Sequence, residues 1–193
     1  MLNRLPPLKE SPSQTAGPYV HIGMTPSFEG ISGPNVPDLG SGPIDAGAGP
    51  RITVGGTIVD GTGAPLSDAV VELWQADADG SYRNAWGRAA CDGKGGFQFD
   101  TVKPGRDAGP DGKPMAPHVS LWIVARGINI GLQTRLYFGD EVAANAEDYV
   151  LTRIMDPRRR QTLIAPRSEV DGRATYSLAI RLQGEDETVF FDF

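Results

Sequence analysis

Cysteine and histidine are both scarce in this chain, which has one cysteine and two histidines among its 193 residues. The lone Cys91 excludes a disulfide bond within the chain and favours a reducing compartment, so we expect a cytoplasmic protein. His21 and His118 lie far apart in the sequence. No single stretch of the chain therefore has the pair of neighbouring imidazoles that many metal sites use.

Long apolar runs and an excess of positive charge are also missing. The chain has no run of about 18 apolar residues and no charged-then-apolar leader, so we expect neither a membrane span nor a signal peptide. The formal net charge is -6. An acidic chain gains little from releasing the counterions of a phosphate backbone, so nucleic acid is not an expected partner.

Glycine and proline are abundant, with 25 and 16 residues, whereas 8% of the residues are aromatic and 22% are charged. This composition favours a turn-rich all-β domain. Apolar or alternating segments between turn residues predict about seven strands, and the Gly55-Gly56 pair predicts a bulge in the first of them. The predicted strands cover residues 51–60, 71–75, 97–102, 119–125, 132–138, 175–182 and 188–193. Short strands at this spacing are typical of a β-sandwich.

Two parts of the chain depart from this pattern. Residues 1–50 contain many Pro and Gly and few apolar runs, which predicts an extended N-terminal arm in front of a sandwich domain at residues 51–193. Residues 143–165 predict a short helical insertion, in which Asp156 caps a second helix that begins at Pro157.

One predicted strand carries half of a metal-site pattern. The segment from Pro114 to Ile123 predicts a turn that runs into a strand, on which His118 and Ser120 point to the same face. A histidine at position 120 would place two imidazoles side by side, but the chain has a serine there. The residues thus indicate a metal-enzyme scaffold that has lost half of its site.

Several segments in a fixed order, together with the two chain ends, carry a family resemblance. The segments are residues 71–82, 101–105, 116–118 and 134–138, and the ends are residues 11–19 and 184–193. Through them the chain resembles the intradiol ring-cleavage dioxygenases, which open catechols between their two hydroxyls. Within that family it is most similar to the α subunits of the two-chain enzymes that act on protocatechuate. The resemblance spans nearly the whole chain and implies the β-sandwich of that family.

The resemblance implies where an iron site would lie. The family holds ferric iron with two tyrosinates and two histidines, and Tyr82 and His118 match the first of each. Asp107 and Ser120 stand at the second tyrosine and the second histidine, and Arg135 lines the pocket. A serine hydroxyl is a poor iron ligand at neutral pH, and a guanidinium repels a ferric ion. We therefore predict a vestigial iron pocket, with no metal ligand and no catalytic residue in this chain alone. In it, Arg135 takes the metal's place and pairs with Asp107 or Tyr82.

The resemblance also implies a partner chain. Fe(III) would be bound by a homologous β subunit in an (αβ)n assembly, and the N-terminal arm would pack on that subunit. Thr15, Gly17, Pro18 and Tyr19 would line the mouth of the β subunit's iron pocket and contact the substrate there. The glycine allows close approach of the backbone, the proline fixes the turn, and the tyrosine offers a hydroxyl.

The implied reaction converts protocatechuate and dioxygen to 3-carboxy-cis,cis-muconate, in the β-ketoadipate pathway of aromatic catabolism. Two alternatives stay open at this point. A self-sufficient dioxygenase would bind iron through Tyr82, Asp107 and His118, and the missing histidine pair counts against it. A β-sandwich assembly module without a catalytic part would have no need of the loop at residues 15–19.

Overall fold

The computed structural model describes residues 15–31, 37–129 and 131–192. In these ranges the chain forms nine β-strands, three short α-helices and a 3-10 turn at Leu151–Arg153. The strands are β1 Arg51–Val59, β2 Val70–Gln75, β3 Trp86–Ala90, β4 Gly96–Val102, β5 His118–Val124, β6 Leu132–Phe138, β7 Ile164–Ala165, β8 Arg167–Val170 and β9 Arg173–Arg181. The helices are α1 Val20–Met24, α2 Val142–Glu147 and α3 Pro157–Gln161. Within the described ranges, no helix is long and apolar enough to cross a membrane.

The strands form two sheets that share one core. The first sheet has the order β4-β1-β9-β8 and the second has the order β3-β2-β5-β6-β7. Two neighbouring pairs, β1 with β9 and β6 with β7, are parallel, and the other pairs are antiparallel. Buried apolar side chains from both sheets make a single large cluster between them. The predicted β-sandwich is therefore confirmed.

β5 links the core to the candidate site. Val119, Leu121 and Ile123 are buried in the cluster between the sheets. His118 and Ser120 alternate with them, so their side chains point to the opposite, outer face of the second sheet. The period of two thus separates the residues that make the core from the residues that make the site.

β1 runs without interruption through Gly55 and Gly56, so the predicted bulge is wrong. Gly55 pairs with Gln98 and Gly56 pairs with Phe97 in one continuous register. A Cβ atom on Gly56 would lie 2.0 Å from the carbonyl oxygen of Leu178 on β9. Glycine is needed here because the neighbouring strand approaches closely, and the ladder itself is intact.

The predicted last strand, at residues 188–193, is also wrong. Among the described residues of this segment, pairing is limited to an isolated bridge between Phe191 and Gln133. Thr188 is buried, and its hydroxyl accepts a hydrogen bond of 3.0 Å from the backbone N–H of Arg181. This contact turns the chain back over the end of β9, so the segment does not extend the sheet.

The helical insertion is present, but Asp148 divides its first part. α2 ends at Glu147 because Asp148 has an extended backbone, with ψ of 134°. The Asp148 carboxylate then accepts hydrogen bonds from the backbone N–H groups of Val150 at 2.8 Å and Leu151 at 2.9 Å. These bonds start the 3-10 turn, so the continuous helix expected over the first part of the insertion is wrong.

α3 begins where the sequence predicted. Asp156 is its N-cap and accepts a hydrogen bond of 2.8 Å from the backbone N–H of Arg158. The helix ends at Gln161, earlier than expected, because Ile164 and Ala165 form β7 beside β6.

The described part of the N-terminal arm lies against the sandwich. Ala16 forms a bridge with Arg126, just beyond the end of β5. Further along the arm, Ile44 is buried in the shared core. Residues 1–14 lie outside the described residues. That residues 1–50 pack on a partner chain stays a prediction.

Candidate functional site

The outer face of the second sheet carries a cluster of polar side chains where β5 and β6 pair. His118 lies opposite Tyr137, and Ser120 lies opposite Arg135, in the antiparallel register. Opposite residues of a ladder point to the same face, so these four side chains are neighbours. One strand pair thus brings three of the predicted pocket residues together.

Two loops bring the other predicted pocket residues, Tyr82 and Asp107, to the same place. Tyr82 follows β2 and Asp107 follows β4. The Oη of Tyr82 donates a hydrogen bond of 2.7 Å to Oδ2 of Asp107. The other carboxylate oxygen of Asp107 lies 3.7 Å from Nδ1 of His118, and Asp107 is only 5% exposed. The cluster therefore contains a buried carboxylate that contacts both a phenol and an imidazole.

The surroundings keep His118 neutral and Tyr82 protonated. Burial is the main cause that lowers the pKa of His118, and the charge of Arg135 lowers it further. The Nδ1 of His118 lies 2.9 Å from the carbonyl oxygen of Ala116, so Nδ1–H donates and Nε2 carries no proton. Burial and the hydrogen bond to Asp107 raise the pKa of Tyr82 well above its ordinary value. Tyr82 is thus a hydrogen-bond donor and not a tyrosinate.

Arg135 connects this cluster to a second buried carboxylate. Its Nη1 donates to Oη of Tyr137 at 3.2 Å and contacts Sδ of Met115 at 3.6 Å. The Oη of Tyr137 donates in turn to Oδ1 of Asp148 at 3.1 Å, and Asp148 is fully buried. The sequence analysis predicted Asp107 or Tyr82 as the partner of Arg135. The structure instead gives Tyr137 and Met115.

The residues of this cluster do not fit a ferric ion. A phenol that keeps its proton and donates a hydrogen bond to Asp107 is not an anionic oxygen ligand, and the hydroxyl of Ser120 is neutral. The guanidinium of Arg135 lies on the same sheet face, where it would repel a trivalent cation. Over the described ranges, no three His, Cys, Asp or Glu side chains are grouped so that they could hold a metal ion. The arrangement suits a hydrogen-bonded cluster of charges.

The predicted substrate-contact loop lies apart from this pocket. It consists of Thr15, Gly17, Pro18 and Tyr19. The Thr15 hydroxyl and the backbone N–H of Ala16 both donate to the carbonyl oxygen of Ile128, at 3.1 and 3.2 Å. Ile128 lies beyond the end of β5, about 20 Å along the strand direction from His118. Tyr19 is 76% exposed. The loop is therefore anchored to its own sheet and presented outward.

Arg126 lies beside this loop, and sequence reasoning did not find it. It forms the bridge with Ala16, its side chain is 66% exposed, and its Nε lies 3.2 Å from Oδ2 of Asp68. The sequence does show that an arginine directly follows the predicted strand at residues 119–125, and this was the feature that could have identified it. Tyr137 and Asp148 were missed as well, because their contact joins distant parts of the chain, although Tyr137 lies in one of the segments that carry the resemblance.

Comparison with known proteins places the chain in a family. A family model described as dioxygenase matches residues 25–184. The protocatechuate 3,4-dioxygenase alpha chain of Pseudomonas putida is 45% identical, over 96% of this chain and 98% of that protein. The chain belongs to the protocatechuate 3,4-dioxygenase alpha-chain family. The resemblance that the sequence analysis stated is therefore confirmed.

The chain also has more distant likenesses, of which two are informative. The protocatechuate 3,4-dioxygenase beta chain of Burkholderia cepacia is 32% identical, over 38% of this chain and 35% of that protein. The crystal structure of 3-chlorocatechol 1,2-dioxygenase from Rhodococcus opacus 1CP matches with a TM-score of 0.58 at 23% identity, over 72% of this chain and 62% of that protein. The second likeness concerns the fold alone, and it agrees with the sandwich described above.

Proposed function

We propose that this chain is the α subunit of a two-chain protocatechuate 3,4-dioxygenase, in which a homologous β chain holds the ferric iron. The enzyme would add both atoms of dioxygen to protocatechuate and open the ring to 3-carboxy-cis,cis-muconate. The observation that carries the proposal is the match to an alpha chain over nearly the full length of this chain. The pocket of this chain, which does not suit a metal ion, agrees with it. The chemistry of ring cleavage would then belong to the β chain.

This chain would contribute to the partner's site through the loop that contains Gly17, Pro18 and Tyr19. A Cβ atom on Gly17 would meet nothing within 4 Å, so the loop offers open backbone surface to an approaching molecule. The Tyr19 hydroxyl is a donor and an acceptor on a largely exposed side chain. The two hydrogen bonds to Ile128 fix the loop, which lowers the entropy lost when it contacts a partner.

Arg126 extends this proposal to a specific group of the substrate. Protocatechuate carries a carboxylate, and a guanidinium binds a carboxylate through two parallel hydrogen bonds. Arg126 lies beside Ala16 at the foot of the loop, with most of its side chain exposed. Its contact with Asp68 keeps the guanidinium near the surface where the partner would dock. Arg126 would thus bind the substrate carboxylate across the subunit interface.

Steady-state kinetics of the co-expressed αβ complex test both contacts. Loss of a hydrogen bond to a charged group corresponds to about a tenfold change or more, so Arg126→Gln should raise KM at least about tenfold. Tyr19→Phe should raise KM by a smaller factor, and iron per αβ pair should stay unchanged in both variants. Arg153→Gln is the matched control, since Arg153 stacks over Tyr149 in the helical insertion. An unchanged KM in both Arg126→Gln and Tyr19→Phe would refute the shared site.

Iron content and visible colour separate the three candidate functions. Purified alone, this chain should be colourless and iron-free, and with the β chain it should form a coloured, active complex with one iron per pair. Stoichiometric iron and ring cleavage in the lone chain would establish the self-sufficient alternative. A β chain that is fully active without this chain would instead favour the non-catalytic assembly module.

A further inference from the structure

We propose that Arg135 is the built-in cation of the vestigial pocket, and that its guanidinium supplies the positive charge that Asp107 and Asp148 need there. The proposal concerns what holds the pocket together, so it stands apart from the role of the chain in catalysis. It starts from the mismatch between the cluster and a metal ion. A pocket that contains buried carboxylates and suits no metal ion must balance their negative charge with one of its own side chains.

The negative charge in the pocket is buried. Asp148 is fully buried and Asp107 is 5% exposed. Within the described ranges, neither carboxylate forms an ion pair with a lysine or an arginine. Asp107 contacts the protonated Tyr82 hydroxyl at 2.7 Å and Nδ1 of His118 at 3.7 Å. His118 is held neutral by burial, which lowers its pKa. Burying a carboxylate without a compensating charge costs several kcal/mol, and Oδ1 of Asp107 has no hydrogen-bond partner in the described part of the chain, so a nearby cation would stabilise the cluster.

Arg135 is placed to supply that charge. It reaches Asp148 through the hydroxyl of Tyr137, by hydrogen bonds of 3.2 and 3.1 Å. Burial raises the pKa of Tyr82 and of Tyr137, and the positive charge of Arg135 opposes that rise at both residues. The guanidinium therefore acts on both ends of the cluster. The Nε–H of Arg135 and the Oδ1 of Asp107 are both buried without a hydrogen-bond partner in the described part of the chain. A buried donor on a positively charged side chain and a buried acceptor on a negatively charged one are thus both without a hydrogen-bond partner in the same cluster of side chains.

Another arginine, Arg106, lies near the cluster but cannot serve the same purpose. Its guanidinium donates to the carbonyl oxygens of Met115 at 3.2 Å and Pro114 at 3.0 Å, and its side chain is at the surface. Solvent screens a charge there much more than a charge inside the cluster. Arg106 is therefore a matched control, because it is the same residue type close to the same carboxylate.

The test removes the positive charge and measures the stability of the chain. Arg135→Met removes the guanidinium and keeps an unbranched side chain, so it should lower the melting temperature of the purified full chain. Arg135→Lys keeps the charge and Arg106→Met changes an arginine at the surface, so both variants should melt close to the wild type.

A double variant keeps the proposal testable if Arg135→Met folds poorly. Asp107→Asn removes one of the two negative charges, so Arg135→Met/Asp107→Asn should melt at a higher temperature than Arg135→Met alone. The same Asp107→Asn change in the wild-type background should not stabilise the chain. The proposal is overturned if Arg135→Met is as stable as the wild type, or if Asp107→Asn fails to raise the melting temperature of Arg135→Met.

Discussion

Asp148 should be the most sensitive single residue of the helical insertion. Its carboxylate accepts four hydrogen bonds, from the backbone N–H groups of Ala116, Val150 and Leu151 at 2.8 to 2.9 Å and from Tyr137 Oη at 3.1 Å. Through them it joins the approach to β5, β6 and the 3-10 turn. Asp148→Ala would leave three backbone N–H groups without their acceptor, and two of them belong to the buried residues Ala116 and Leu151.

The magnitude of this loss follows from the number of bonds. Removing one partner of a buried hydrogen bond costs about 1–3 kcal/mol, and bonds that share one carboxylate are not additive. We therefore expect Asp148→Ala to lower the free energy of unfolding by about 4 kcal/mol. In a chain of this size, about 1 kcal/mol corresponds to 2–4 °C, so the melting temperature should fall by about 10 °C. Asp148→Asn keeps an acceptor oxygen and should lose about half as much.

Thermal unfolding followed by circular dichroism measures the effect, with Asp156→Ala as the control. Asp156 also caps a helix through its carboxylate, but it accepts a single backbone bond that is solvent-exposed. Loss of such a cap costs about 1 kcal/mol. If Asp148→Ala is no more destabilising than Asp156→Ala, the argument that burial and bond number make Asp148 special is refuted.

Two further predictions concern the core. Gly56→Ala would place Cβ 2.0 Å from the carbonyl oxygen of Leu178, so urea denaturation should show a loss of about 1–3 kcal/mol. Gly93→Ala, where Cβ meets nothing within 4 Å, should change stability by less than about 0.5 kcal/mol, and equal losses would contradict the steric reason. Burial raises the pKa of the Cys91 thiol to about 12 from 9.0. Its contribution to stability is therefore complete below the unfolded value and is lost as the pH rises toward the folded value. Cys91→Ala should then reduce the alkaline loss of stability by about 2–3 kcal/mol at pH 11, and native Cys91 should resist iodoacetamide at pH 8 until urea unfolds the chain.

Strands that follow from a local pattern were predictable from the sequence. The expected ranges 119–125 and 132–138 differ from β5 and β6 by at most one residue at each end, because both segments alternate or run apolar between clear turns. β3 was missed, since Gly87 and Arg88 interrupt its apolar pattern. It forms through pairing with β2 and through the ion pair of Arg88 with Glu72 at 2.7 Å, and both contacts are tertiary.

The sequence predicted which residues make up the candidate site, but it did not predict the hydrogen bonds that Arg135 makes there. Family motifs placed Tyr82, Asp107 and His118 on the chain, and the structure brings them within contact distance. The position of Arg135 opposite Ser120 depends on the register of β5 against β6, which local patterns do not fix. Its bond to Tyr137, and the onward bond to the second carboxylate, therefore appear only in the folded chain.

The period of two along β5 and β6 explains how such a pocket can change without loss of the fold. Val119, Leu121 and Leu136 are fully or almost fully buried and hold the sandwich together. The side chains that alternate with them, among them Ser120 and Arg135, project to the outer face and make no part of that core. A serine can therefore stand at a ligand position of the outer face, with an arginine opposite it, at little cost to the inner face, provided that the buried carboxylates nearby have a compensating charge. The loop at the far end of β5 is anchored independently of the pocket. In the proposed complex, a chain whose own pocket does not suit a metal ion would therefore still be able to contribute to a partner's site.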